Sequence, residues 1–518
     1  CLYSRTFNTY IQVSWVFIGR QTISIVDFNM NQNLDIQCQK TIQNYIDDTS
    51  IWKEGTSRFC LSMTKVQWRI WLLATFGKFF EGMIVFMMGL TLPLITLQFH
   101  LTEFQKGTLS SSILFGILIG ASALGGLSDL YGRKKMFIVE MALLSICLVG
   151  MASSQSYAMI LLFNFGIGLA LGCDYPTAHL MISESIPTKN RGKLVLGAFA
   201  FQSIGVLMGI LTGIVVLSYV DDINAWRLMY ILALVPSLAI TVARFFIPES
   251  AHWLMSKRRE KEAETSLKRL LNRDPKSTMS LTAVPCPEGE EAHTWVGGYK
   301  KLFKEKYRAK TILASVPWFI QDLGTYGIGI FTPVILASVL DPHVAVTGQD
   351  ALHSTIAHII YSAKGTALID SLLIVGVICA IIYSESIGRM KLQIYGFIGC
   401  AVGLAFAAVS IKLQGDYQIY VLFLGFMLFN FMNNLGPNAQ TYLISGEVFP
   451  VKIRAKGAGF AASIAKLGAI LTAFLFPILM HEIGVFNLLL SLVVTSVLGA
   501  WVTYKYRFET SGKNIENI

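Results

Sequence analysis

The chain has 518 residues, 53% of them hydrophobic and only 14% charged, with a mean hydropathy of +0.56. A soluble domain carries about 25% charge, so the composition argues against a soluble multidomain enzyme. Forty-two Lys and Arg against 32 Asp and Glu leave +10, yet the surplus sits in short segments between long apolar runs, which points to a membrane and not to a nucleic-acid partner.

Residues 1–62 are polar and mixed, and the chain opens on Cys1. An apolar patch around Trp15 and Val16 is interrupted by Arg20 and Gln21, so it does not read as a signal peptide. Met63 opens directly into the first apolar run, so residues 1–62 are expected to be either a poorly ordered, non-homologous cytoplasmic extension or a stretch preceding a biological start at Met63, with the second favoured. Crossing a hydrocarbon core of about 30 Å takes about 20 apolar residues. Such windows fall at 70–97, 108–127, 136–153, 157–182, 194–218 and 228–247, then at 311–339, 365–384, 392–411, 418–445, 457–480 and 484–504. They predict an all-α polytopic membrane protein of 12 transmembrane helices in two six-helix bundles, residues 63–247 and 311–504. Residues 248–310 are a polar central loop with a short surface helix expected within Lys257 to Arg273 and a flexible stretch at Pro275 to Glu291; 505–518 form a tail.

Lys and Arg in short loops set orientation. Arg133, Lys134, Lys135, Lys189, Arg191, Lys193, Arg389, Lys391, Lys452, Arg454 and Lys456 lie in one set of loops, whereas the alternate set holds only Lys106, Arg227, Lys364 and Lys412. Both termini and the central loop are therefore expected in the cytoplasm, with the protein multi-pass in the cell membrane.

The halves repeat. Asp129-x-x-Gly132-Arg133 returns as Glu385-x-x-Gly388-Arg389, and Glu184-x-x-Pro187-x-Lys189-x-Arg191 returns as Glu447-x-x-Pro450-x-Lys452-x-Arg454. Repeats of six spans each enter from the same face and are related about an axis along the membrane normal, the geometry of an alternating-access carrier. Asp129, Arg133, Glu184 and Arg191, and in the second half Glu385, Arg389, Glu447 and Arg454, can pair between neighbouring helix ends and form a cytoplasmic gate. Basic loops also serve topology alone.

An ionised side chain at mid-bilayer costs about 2.5–3.5 kcal/mol on insertion scales. Lys78, Glu81, Asp174, Asp322 and Lys466 are thus expected to face a polar cavity between the bundles, or to form buried pairs. Lys78 and Glu81, three apart, can neutralise each other. Trp318, Asp322 and Tyr326 recur every four residues and share one helix face, a poor lipid contact and a good binding wall. Asp174 and Lys466 lie in different halves and are expected to approach as the bundles close. The eight cysteines and eight histidines show no metal-ligand or redox spacing, and Gly166-x-Gly168 lies inside a span, without the strand and turn of a dinucleotide site. No cofactor, metal or catalytic nucleophile is expected.

Gly125-Gly126-Leu127-Ser128-Asp129-Leu130-Tyr131-Gly132-Arg133-Lys134-Lys135 resembles the loop between spans two and three of the major facilitator superfamily. Its second copy, the Glu184 and Glu447 motifs, Trp226-Arg227 and Pro248-Glu249-Ser250 resemble marks of the sugar-porter-like branch. Within that branch, Gly172-Cys173-Asp174-Tyr175-Pro176 is similar to the fourth-span signature of phosphate:proton symporters, and Gln202, Trp318, Asp322, Tyr326, Gly436-Pro437-Asn438 and Lys466 resemble their cavity residues. The resemblance implies substrate binding by Tyr175, Gln202, Trp318, Asp322, Tyr326, Asn438 and Lys466. Where that family carries first-span aspartates, this chain reads Phe79-Phe80-Glu81-Gly82, and Leu130 replaces a basic residue. Glu81 is then the first-span candidate for proton coupling, beside Asp174 and Asp322. The expected function is proton-coupled symport of a small anionic solute, inorganic phosphate first, by a monomer in the bilayer. Transport of a sugar, organic acid or other metabolite is the alternative, and a non-transporting receptor on the same fold a third reading.

Overall fold

The structure is a computed structural model describing residues 13–18, 21–26, 42–47, 63–124, 127–187, 191–272, 302–340, 349–384, 386–449 and 451–508. The Pro275 to Glu291 stretch, Glu385 and most of the C-terminal tail lie outside these residues, as do the side chains of Arg191 and Arg454. Before the first span, β1 (Val13–Ile18) pairs antiparallel with β2 (Gln21–Val26), followed by α1 (Ile42–Asp47).

Eleven helical passes long and apolar enough to cross a membrane follow among the described residues, and the shorter Glu103–Ile119 helix with its π turn stands as the twelfth. The first bundle comprises α2 (Lys65–Phe99), α3 (Glu103–Ile119), the short α4 (Leu127–Tyr131), α5 (Arg133–Ala152), α6 (Tyr157–Ser185), α7 (Arg191–Tyr219) and α8 (Ala225–Arg244). Two surface helices, α9 (Ala251–Ser256) and α10 (Glu260–Leu270), lie in the segment read as a central loop. The second bundle comprises α11 (Glu305–Leu340), α12 (Gln349–Tyr383), α13 (Arg389–Ser410), α14 (Asp416–Leu435), α15 (Pro437–Glu447), α16 (Val451–Glu482) and α17 (Gly484–Lys505).

Local chemistry sets the boundaries. Thr64 and Thr102 start α2 and α3 with reciprocal capping boxes to Gln67 and Gln105. At 17 residues α3 is short for a span and gains length from a π turn at Gly120–Leu124. Span ten is one apolar run in sequence but two helices in space: Gly436 breaks the helix, and Pro437, with no N–H to donate, opens α15 at a position that tolerates it. The motif glycines Gly132 and Gly388 precede α5 and α13 at φ 108° and 95°, a backbone region that favours glycine, so the sequence repeat is also a repeat of backbone geometry.

The helices are apolar all round because one face meets lipid and the other the bundle. On α8, Trp226, Met229, Tyr230 and Ala233 are fully buried while Val235 and Val242 are 62% and 57% exposed. The bundles meet along three seams, α3 with α16, α7 with α12 and α2 with α11. Those seams put spans one and seven, which carry most of the ionisable candidates, against each other.

Candidate functional site

Four ionisable side chains meet where α2 approaches α11 and α16. Glu81 accepts from Lys78 Nζ at 2.5 Å, from Tyr326 Oη at 2.8 Å and from Lys466 Nζ at 3.3 Å. Lys466 Nζ also donates to Tyr326 Oη at 2.6 Å and lies 3.4 Å from Asp322 Oδ2. Glu81 comes from the first bundle and its partners Tyr326 and Lys466 from the second, so the cluster links the two. Two lysines and two carboxylates leave no net charge, which is how four charged groups persist at bilayer depth.

Aromatic rings frame one side. Lys78 Nζ lies 4.3 Å from the centroid of Tyr175, close enough for a cation–π contact. Tyr442 on α15 stacks on Phe199 of α7 at 5.3 Å, meets Tyr175 and Trp318 edge-on, and has its hydroxyl 3.2 Å from His179 Nδ1. These contacts join the bundles on the side of the repeated motifs. Between the rings and the charges lies a narrow cavity of about 30 Å³, bordered by Gly77, Lys78, Glu81, Asp174, Tyr175 and Tyr442. It has room for water and not for a solute.

A wall of neutral amides continues from the cluster. Gln321 Nε2 donates to Thr325 Oγ1 at 2.7 Å and to Asn438 Oδ1 at 3.0 Å. Asn438 Nδ2 donates to Asn434 Oδ1 at 2.6 Å, and Asn434 Nδ2 reaches Ser203 Oγ of α7 at 2.9 Å. Gln321 Oε1 is buried without a hydrogen-bond partner among the described residues. Sequence reasoning found Asn438 through the resemblance and missed Gln321, Asn434 and Tyr442; neutral polar and aromatic residues give no alarm in an apolar run.

Asp174 is not beside Lys466 in this conformation. Its Oδ1 accepts a 2.6 Å hydrogen bond from Arg244 Nη2, and Arg244 Nη1 lies 3.3 Å from Glu140 Oε1. All three residues are buried within the first bundle, although Asp174 also borders the cavity. Gly77 permits this arrangement: a Cβ there would overlap the Asp174 carboxylate. Gly77→Ala is therefore expected to displace Asp174 from Arg244 and to cost about 1–3 kcal/mol by overpacking, read as a lower melting temperature of the purified protein; an unchanged melt would contradict this contact. Gln202 is buried on α7, its backbone carbonyl against Gly82, and its side chain makes no hydrogen bond to the cluster among the described residues.

The motif residues pair within each bundle. Arg133 bridges Asp129 at 2.6 Å and Glu184 at 3.2 Å; Glu184 also accepts from the Ser250 hydroxyl. Glu249 accepts from the Lys134 backbone at 2.9 Å, and Trp253 Nε1 donates to the Asp129 carbonyl at 3.0 Å. The first-bundle motifs and the Pro248-Glu249-Ser250 exit thus form one latch over the ends of α5 and α6. Arg389 pairs with Glu447 in the second bundle.

The family model described as sugar (and other) transporter matches residues 70–518. The chain belongs to this family. The carrier is similar to the glucose transporter GlcP of Staphylococcus epidermidis, 26% identical over 81% of this chain and 89% of that one. It is similar also to inorganic phosphate transporter 1-1 of Oryza sativa subsp. japonica, 25% identical over 88% and 95%. Among solved structures, the xylose transporter XylE of E. coli, partially occluded and inward open, matches with a TM-score of 0.68 at 18% identity, covering 87% of this chain and all of that one. XylE described as a proton:xylose symporter of the major facilitator superfamily matches at 0.66 and 19%. These likenesses establish the major facilitator fold, and the family is one of transporters, not enzymes. Glucose and phosphate carriers match about equally well, so the comparisons favour no single branch, and the narrower likeness to phosphate symporters is not singled out.

Proposed function

We propose that the carrier is a proton-coupled symporter of a small neutral polar organic solute, sugar-like in its hydroxyl chemistry, working by alternating access with the motif face in the cytoplasm. The observation that carries this reading is the charge balance of the central cluster. Lys78 and Lys466 are already matched by Glu81 and Asp322, so among the described residues no lysine or arginine lining the cavity lacks a carboxylate partner. The amides of Gln321, Asn434 and Asn438 bond to one another donor to acceptor, with Gln321 Oε1 unpartnered among the described residues, a chain that hydroxyl groups, which both give and take hydrogen bonds, can enter by exchange.

Proton coupling follows from the same cluster. Protonating Glu81 removes one negative charge and loosens the tie between α2 and α16, while protonating Asp322 frees Lys466 from its second carboxylate within the second bundle, so movement of the bundles and proton uptake become linked. Glu81 occupies the centre of this linkage and Asp322 its second arm. Anion transport remains the second reading for one reason: if both carboxylates take protons, two ammonium groups are released together, and these would hold phosphate.

Proteoliposomes with an imposed pH gradient separate the two. Gradient-driven accumulation of labelled D-glucose or D-xylose, with phosphate ineffective as a competitor, is the expected result; accumulation of labelled phosphate alone would replace the first reading with the second. Asp322→Asn is expected to abolish accumulation while keeping counterflow, and unchanged accumulation would remove Asp322 from the coupling.

A further inference from the structure

Asp370 lies on α12, outside the central cluster and the motif latches, and sequence analysis did not single it out. It is 1% exposed. Oδ1 accepts a 2.7 Å hydrogen bond from Asn430 Nδ2 of α14, and Oδ2 has no partner among the described residues. On the elements packed against α12, the titratable groups nearest mid-span are Asp322 and Tyr326 of α11 and Tyr442 of α15, all engaged in the contacts described above. Lys193 and Tyr219 on α7, Glu305, Lys306, Tyr307, Arg308 and Lys310 on α11, Asp416, Tyr417 and Tyr420 on α14, and Glu447 on α15 stand near helix ends. On α12 itself, Tyr361 and Lys364 are exposed, and His353, His358, Cys379 and Tyr383 lie further along the helix. None of these forms a hydrogen bond or ion pair with Asp370.

A carboxylate ion held by one neutral amide in an apolar interior is the least favourable state of a buried acid. The neutral acid suits the site, with its proton on Oδ2. Helical spacing places Asp370, Leu373, Val377 and Ala380 along one stripe of α12. The Leu373 carbonyl accepts from Asn434 Nδ2 at 2.8 Å, the same amide that reaches Ser203 of α7, and Ala380 clusters with Leu196 of α7. The stripe carrying Asp370 therefore runs along the seam between spans eight, ten and five.

We propose that Asp370 is a second proton-binding site, housed in the second bundle, which is loaded while spans five and eight are packed together and unloads when they part. Opening the seam breaks the Asn434 bridge to Ser203 and admits water beside α12, and hydration supplies the solvation that the ionised form lacks in the closed state. Asp370 is a positioning residue in this scheme, since Asn430 lies one helical turn from Asn434 and passes its protonation state toward the amide wall. The proposal rests on alternation of the two bundles; it depends neither on the solute nor on Glu81 as the coupling group.

Infrared spectroscopy of the purified full chain in lipid, with no solute added, reads the site directly. At neutral pH the wild type is expected to show the carbonyl stretch of a protonated carboxyl that Asp370→Asn lacks. Asn430→Leu, which removes the amide donor, is expected to keep that band at a shifted frequency. Ser203→Trp wedges α7 away from α14 and is expected to lose the Asp370 band at the same pH. Should Asp370→Asn fail to fold, Asp370→Glu shifts the band and serves in its place. Identical carboxyl bands in wild type and the Asp370 variants would overturn the proposal, as would a band that survives Ser203→Trp, because the acid would then be fixed and structural. Loss of proton-driven uptake in Glu81 variants is scored separately and tests the proposed function alone.

Discussion

Replacing Glu81 by Gln is expected to reduce accumulation driven by a pH gradient to simple equilibration, while counterflow of the same solute continues at a lower rate. Gln has the shape of the protonated acid and cannot release a proton, so the variant is held in one of the two states that coupling requires. The static cost is also large. Lys78 loses its 2.5 Å partner and Lys466 keeps only Asp322 and Tyr326, and leaving a buried charge without its partner costs about 3–5 kcal/mol. Glu81→Asp keeps the charge but draws it back by one methylene, so it should retain proton-driven uptake at a reduced level. Proteoliposomes report both quantities, accumulation under an imposed gradient and exchange without one. Accumulation by Glu81→Gln with the pH dependence of the wild type would end the assignment of Glu81 as a coupling group. Loss of both activities in a protein that melts normally would mark it as a substrate or gating residue instead.

Much of the fold was legible because the bilayer imposes a length. Few soluble elements need an unbroken apolar run near 20 residues, and the repeated Gly132-Arg133 and Gly388-Arg389 pairs recur in space as matching helix starts. Span ten is the exception that sequence patterning hides, since hydropathy runs unbroken through Gly436 and Pro437 while the backbone does not. At the site, Glu81, Asp322 and Lys466 were visible because charge in an apolar run needs a partner, and Tyr326 because it shares a helix face with Asp322. Their pairing was not visible, because Glu81 and Lys466 are brought together only by packing of the two bundles. Asp174 illustrates the limit: its charge was noticed, but its partner Arg244 lies at the edge of an apolar window, where a basic residue reads as a membrane-interface anchor. Glu140, a short way beyond the Arg133-Lys134-Lys135 block, is masked by the same basic loop. Asp370 carries the same signal of charge inside an apolar run, but it and the amides of α14 find their partners on other helices, which only the fold shows.

Replacing Arg244 by Leu should have the largest effect on stability of any single change in the first bundle. The guanidinium is fully buried and lies 3.4 Å over the Phe137 ring. It donates to the carbonyls of Phe137 at 2.6 Å and Leu73 at 3.1 Å, as well as to Asp174 and Glu140, so one side chain ties spans one, three, four and six. Leu fills part of the volume but leaves two carboxylates and two carbonyls in an apolar interior, a loss of about 3–5 kcal/mol for the ion pairs alone. Lys restores the charge without the planar fork, and can satisfy only some of the four acceptors. The expected order of melting temperatures is wild type, then Arg244→Lys, then Arg244→Leu, measured by size-exclusion chromatography after heating. Adding Asp174→Asn and Glu140→Gln to Arg244→Leu should recover part of the loss, because neutral amides no longer demand a counter-charge. Equal melting of wild type and Arg244→Leu would contradict the triad, and failure of the added neutral substitutions to recover stability would shift the cost from charge to the broken carbonyl bonds.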